Sequence, residues 1–137
     1  MTQPQPNNPP VKLRALVAED DLPTQDLITT VLRRVGFEVD AVNHGRAAIE
    51  KLKTVAYSLV ILDLRMPNVD GAGVLEFVKA NRPATLKRIV VTSALSPSEI
   101  ERYCDADVCS ILQKPFDVAR LAEIARECAD VCNAPSV

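Results

Sequence analysis

The sequence predicts a doubly wound α/β fold, and three observations predict it. Apolar, strand-like runs alternate with segments of helical periodicity along the chain. One run, Leu59, Val60, Ile61 and Leu62, is apolar without interruption, as in a strand buried on both faces of a parallel sheet. Several runs then stop on a charged or hydroxyl residue, and ligands of parallel sheets bind beyond the carboxyl ends of the strands.

Bulk properties restrict the alternatives. At 137 residues the chain suits one domain with its own core. Sixteen basic and eighteen acidic residues leave a net charge of −2, and aromatics make up 4% with no Trp. Neither a field for phosphate backbones nor a stacking platform is present, so no nucleic-acid partner is expected. Residues 1–11 are rich in Pro and polar residues and read as a disordered leader rather than a signal peptide. Residues 12–132 form the expected domain and 133–137 a short tail. No apolar run is long enough to span a bilayer, so the expected location is cytoplasmic, away from membranes. Four cysteines would be reduced there; Cys128 and Cys132, one helical turn apart, and Cys104 and Cys109, without zinc-knuckle spacing, read as small buried hydrophobes.

Taken in order, residues 13–18 make the first strand and run into Glu19, Asp20 and Asp21. Asp21 is suited to cap a helix with Pro23 in its first turn, with Leu27, Ile28, Val31, Leu32 and Val35 on one face and Gly36 as its terminator. Phe37, Val39, Ala41 and Val42 form a second strand, and a turn at Asn43, His44 and Gly45 leads to a helix bearing Ala48, Ile49 and Leu52. His44, the only histidine, reads as exposed loop. The third strand ends at Asp63, and Asp70 caps a helix with Val74, Leu75 and Val78. Ile89, Val90 and Val91 open a fourth strand ending in Thr92 and Ser93. Ser96, Pro97 and Glu99 give a capping box for a helix through Ile100 and Tyr103. A weaker fifth strand over 108–112 leads to Gln113, Lys114, Pro115 and Phe116, the last read as a core anchor. Leu121, Ile124, Ala125, Cys128, Val131 and Cys132 then share one face of a final helix.

All strands of a parallel sheet end on one edge, so Glu19, Asp20, Asp63, the Thr92 and Ser93 hydroxyls and Lys114 should gather there. Crowded carboxylates resist ionisation unless a cation lies between them. Hard oxygen donors with water in the remaining positions suit Mg²⁺, which favours phosphate oxygens. A lysine and a hydroxyl opposite would bind an anion, which describes a phosphoryl site with a carboxylate acceptor.

The segments LVAED, LVILDLRMPNVDG, VVTSA and QKPF resemble, in order and spacing, the motifs of the receiver domain of two-component response regulators. The resemblance covers residues 13–131. It implies a flavodoxin-like (βα)5 fold with strand order 2-1-3-4-5 and Asp63 as phosphoacceptor. Asp20 would ligate Mg²⁺ directly, with Asp63 and the backbone carbonyl of Arg65, and Glu19 through water. Lys114 would pair with the phosphoryl group, and its bond to Pro115 would be cis. Ser93 is chosen as the switching hydroxyl, with Thr92 as the alternative, biasing a surface made by the fourth helix, fifth strand and fifth helix. The implied partners are a sensor histidine kinase or histidine phosphotransfer protein and an unidentified downstream protein, with phosphorylation-dependent dimerisation left open. With no output domain following, a stand-alone receiver is expected, which modifies itself but turns over no metabolite.

Three departures stand out. Ile111 replaces the aromatic usual three residues before the lysine, Asp107 and Val108 replace a small pair, and Arg65 puts a long cation beside the acceptor. Two rival readings remain, an aspartate-dependent phosphohydrolase and a degenerate receiver that only binds. The hydrolase lacks its second acid, because Arg65 stands there.

Overall fold

The computed structural model describes residues 12–66, 70–102, 108 and 110–133. The leader, residues 134–137 of the tail, Tyr103, Cys104, Asp107 and Cys109 lie outside the described residues. The elements are β1 (Arg14–Ala18), α1 (Leu22–Val35), β2 (Glu38–Val42), α2 (Gly45–Thr54), β3 (Leu59–Asp63), α3 (Gly71–Asn81), a 3-10 segment (Pro83–Arg88), β4 (Ile89–Ser93), α4 (Pro97–Ile100), β5 (Ser110–Gln113) and α5 (Val118–Asn133). All strand pairs are parallel, in the order β2-β1-β3-β4-β5. This is the doubly wound, flavodoxin-like order that the sequence predicts.

Strand alternation divides the core into two layers. Leu16, Val60, Leu62 and Val91 pack with Leu52 of α2, Val74 and Val78 of α3 and Ile100 of α4. Ala15, Val17, Leu59, Ile61 and Val90 pack with Ile28 and Leu32 of α1 and Leu121, Ile124 and Ala125 of α5. Phe116 packs against this second layer, as expected of a core anchor.

Local chemistry sets the helix ends. Asp21 accepts the Thr24 N–H at 3.1 Å, Asp70 accepts that of Gly73 at 3.0 Å, and Ser96 and Glu99 form the capping box. Gly36 ends α1 with φ of 118°, its N–H donating to the Leu32 and Arg33 carbonyls.

The structure departs from the sequence pattern at several positions. His44 is not exposed loop: it is half-buried and caps α2, its Nδ1 accepting from the Ala47 N–H at 3.1 Å. Strand β5 starts at Ser110, and Val108 packs beside the α2–α4 layer instead. On α1, Leu27 is exposed and Thr29 takes the inward position. On α5, Val131 is 75% exposed while Ala129, one turn beyond the buried Ala125, is buried. Cys128 and Cys132 are half-buried rather than core, and Cys128 Sγ donates to the Ser58 carbonyl.

Gly71 ties the scaffold to the edge where the polar residues collect. A Cβ there would stand 2.5 Å from both the Asp63 carbonyl oxygen and Leu64 Cα. Gly71→Ala is therefore expected to cost about 1–3 kcal/mol by overpacking. Gly36→Ala, which strains only a left-handed cap, should cost about 1 kcal/mol. Denaturant midpoints of the two variants check this, and a Gly71→Ala protein as stable as the wild type would contradict the close approach.

Candidate functional site

Strands β1, β3, β4 and β5 deliver the polar residues to one edge, and the connections after them hold the geometry. Glu19 follows β1 and is 0% exposed, its N–H donating to the Val42 carbonyl at 3.0 Å. Gln25 of α1 clamps this point, its Nε2 donating to the Glu19 and Val42 carbonyls, each at 3.0 Å. No sequence signal marks Gln25, since its role depends on where two strands end. Asp20 is exposed at the rim.

Asp63 ends β3 at 4% exposure. Its Oδ1 accepts the Arg65 N–H at 3.1 Å, and its Oδ2 accepts from Lys114 Nζ at 3.3 Å. Lys114 also donates to Glu19 Oε1 at 2.5 Å, and its own N–H is held by the Ser93 carbonyl at 2.6 Å. The Lys114–Pro115 peptide is cis. The Arg65 side chain is exposed, beside a cleft of about 130 Å³ lined by Leu64, Arg65, Asp70, Ala72 and Leu95.

Carboxylate oxygens of Glu19, Asp20 and Asp63 lie within 4.8 Å of one another. Burial, with the nearby Asp63 carboxyl next in weight, pushes the Glu19 pKa up to about 7 against the opposing pull of Lys114. Burial works against the Lys114 ammonium, but its bond to Glu19 and the charge of Asp63 outweigh this and raise its pKa. Glu19 Oε2 is buried without a hydrogen-bond partner. An orphaned carboxylate oxygen among crowded acids is the donor set a hard cation suits, and the exposed Asp20 leaves room for metal-bound water. Mg²⁺ therefore fits these residues.

The two hydroxyls of β4 separate. Ser93 lies in the alternation of Val91, toward α2–α4, and its Oγ accepts the Leu95 N–H at 3.0 Å. Thr92 lies in the alternation of Val90, toward α1 and α5, fully buried. Asp21 serves α1 alone: its bonds from the Thr24 hydroxyl and N–H lower its pKa.

A five-stranded parallel sheet carrying an acidic cluster and a lysine at its carboxyl edge defines a class of small doubly wound α/β domains, and comparison with known proteins resolves it further. The response regulator receiver domain family matches residues 15–126. The chain is 32% identical over 128 residues to the transcriptional regulatory protein CpxR homolog of Haemophilus influenzae, covering 88% of this chain and 53% of that one. It thus spans about half the length of that relative. A CheY-like response regulator receiver domain protein from Methanospirillum hungatei superposes with a TM-score of 0.79 at 21% identity, over 89% of this chain and 97% of that one. The receiver domain of a sensor histidine kinase from Pseudomonas aeruginosa, crystallised with magnesium in its active-site cleft, gives 0.74 at 24% identity, over 87% and 98%. The chain belongs to the response regulator receiver domain family of two-component systems.

The raised Glu19 pKa has a sign that can be measured. Between 4.5 and about 7 the folded chain holds a proton that the unfolded chain has released. Stability without metal is thus expected to fall as pH rises through that window. Thermal unfolding in EDTA at pH 5 and pH 8 should show a larger fall in Tm for the wild type than for Glu19→Gln, and equal falls would refute the shift.

Proposed function

We propose that this receiver domain accepts a phosphoryl group on Asp63 from a phosphohistidine of a sensor histidine kinase or a histidine phosphotransfer protein, with Mg²⁺ as cofactor. One observation carries the reading: Asp63 is a nearly buried carboxylate at a strand end, with Lys114 Nζ at 3.3 Å and two more acids close by. An Asp63 oxygen attacks phosphorus, the phosphorus–nitrogen bond breaks, and its electron pair stays on the leaving imidazole nitrogen. The Arg65 N–H orients the acceptor through Oδ1. Lys114 leaves Glu19 to meet the phosphoryl oxygens, and Ser93 is the hydroxyl that follows them. Held by Asp20, Asp63 and the Arg65 carbonyl, with Glu19 reached through water, Mg²⁺ would supply positive charge against the phosphoryl oxygens.

The signal leaves through the surface of α4, β5 and α5. Ile111 is 42% exposed on β5; with no aromatic ring to turn inward, this face either responds through backbone and loop movement alone or signals weakly. A downstream protein docks on this face, or a second phosphorylated copy does. The setting is cytoplasmic; no described helix is long and apolar enough to cross a membrane.

Acetyl phosphate with Mg²⁺ is expected to add one phosphoryl group to the intact protein by mass. EDTA or Asp63→Asn should abolish the adduct, and Lys114→Ala should slow it by roughly 10²-fold. An equal adduct in Asp63→Asn would refute acceptance at Asp63, and turnover of a small phosphate ester dependent on Asp63 would point to the phosphohydrolase. Mg²⁺ should also raise Tm more at pH 8 than at pH 5, because the Glu19 carboxylate, with its pKa raised to about 7, is ionised at the higher pH.

A further inference from the structure

The Thr92 hydroxyl is buried at the reacting edge and has no hydrogen-bond partner. Strand register places Thr92 opposite Asp63 on one side. On the other it lies opposite Leu112, two residues before Lys114. Register partners in a parallel ladder point to the same face, about 4.8 Å apart. Lys114 starts beyond β5 and its Nζ meets Asp63 at the end of β3 as well as Glu19 beyond β1, so its side chain passes the end of β4, the strand that holds Thr92.

An unpartnered buried hydroxyl destabilises the state in which it is unpartnered, and Val would fill the same space without that cost. A buried polar group left unsatisfied in one state calls for an explanation, and use in another state is one. The lysine ammonium has three N–H donors and no acceptor. In the resting structure one meets Glu19 and another Asp63. When the ammonium leaves Glu19, one donor turns to the phosphoryl oxygens and another needs a buried acceptor nearer β4.

We propose that Thr92 is a positioning residue for Lys114: its Oγ1 accepts a Lys114 N–H once the ammonium has left Glu19, and so holds the cation against the phosphoryl group. This rests on phosphoryl acceptance at Asp63. It gives β4 two sensors, Ser93 toward α2–α4 and Thr92 toward α1 and α5, where the Ser93 reading alone has one.

The test uses the full chain with acetyl phosphate and Mg²⁺, following adduct formation by mass and stability by thermal unfolding. Thr92→Val is expected to raise Tm by about 2–5 °C, by removing an unsatisfied group. The same variant should form the adduct about tenfold more slowly, the size of one lost hydrogen bond. Thr92→Ser, which keeps the hydroxyl and loses a methyl, should do the reverse, lowering Tm while retaining most of the rate. In a Lys114→Ala background the rate effect of Thr92→Val should vanish, as coupling through Lys114 requires. An unchanged rate in Thr92→Val, or the same slowing without Lys114, overturns the proposal. Slowing in both variants that follows their loss of Tm also overturns it, because that pattern is structural. A wild type that forms no Asp63-dependent adduct removes the phosphoacceptor reading and this one together, whereas a normal wild type with an unaffected Thr92→Val removes this one alone.

Discussion

Three carboxylates and one lysine share a single edge of the sheet, and much of the fold exists to keep them there. Parallel strands leave no choice about which end they share, so Glu19, Asp63 and Lys114 converge by topology. Glu19 is the costly member, fully buried with one oxygen on Lys114 and the other unpartnered. Removing either partner of such a pair would leave an uncompensated buried charge, whereas adding a cation relieves the crowding. The resting site is thus held short of positive charge.

The restraints on this edge come from both layers. Gly71 lets α3 close against the last residue of β3, and Gln25 of α1 fastens the ends of β1 and β2. The Ser93 carbonyl holds the Lys114 N–H, so the backbones of Ser93 and the lysine are linked by one bond. On the proposed reading, movement at either would be felt at the other, a route to β5 that needs no aromatic ring at Ile111.

Legibility varied with how local the physics was. Caps at Asp21, Asp70 and Ser96 and the left-handed stop at Gly36 could be read directly, because each is a contact within one turn of helix. Spacing alone places His44 in a loop although it caps α2, since an imidazole Nδ1 in that position depends on a tautomer and ring orientation that no pattern encodes. Leu27 and Val131 fit their helical faces by spacing yet are exposed, because the face that matters is chosen by the neighbouring helix. No apolar periodicity marks the 3-10 segment before β4.

By itself the sequence determined that strands and helices alternate, where most of them begin and end, and which polar groups stand at the strand ends. Those are properties of local spacing and of residue types next to one another in the chain. Tertiary structure alone decided that Glu19 is buried against Lys114 while its neighbour Asp20 is exposed. It also sent Thr92 and Ser93 into different layers and brought Gln25 into the site. The reason is geometric: burial and partnership depend on which surfaces meet across residues far apart in sequence, and a one-residue step along a strand reverses the face.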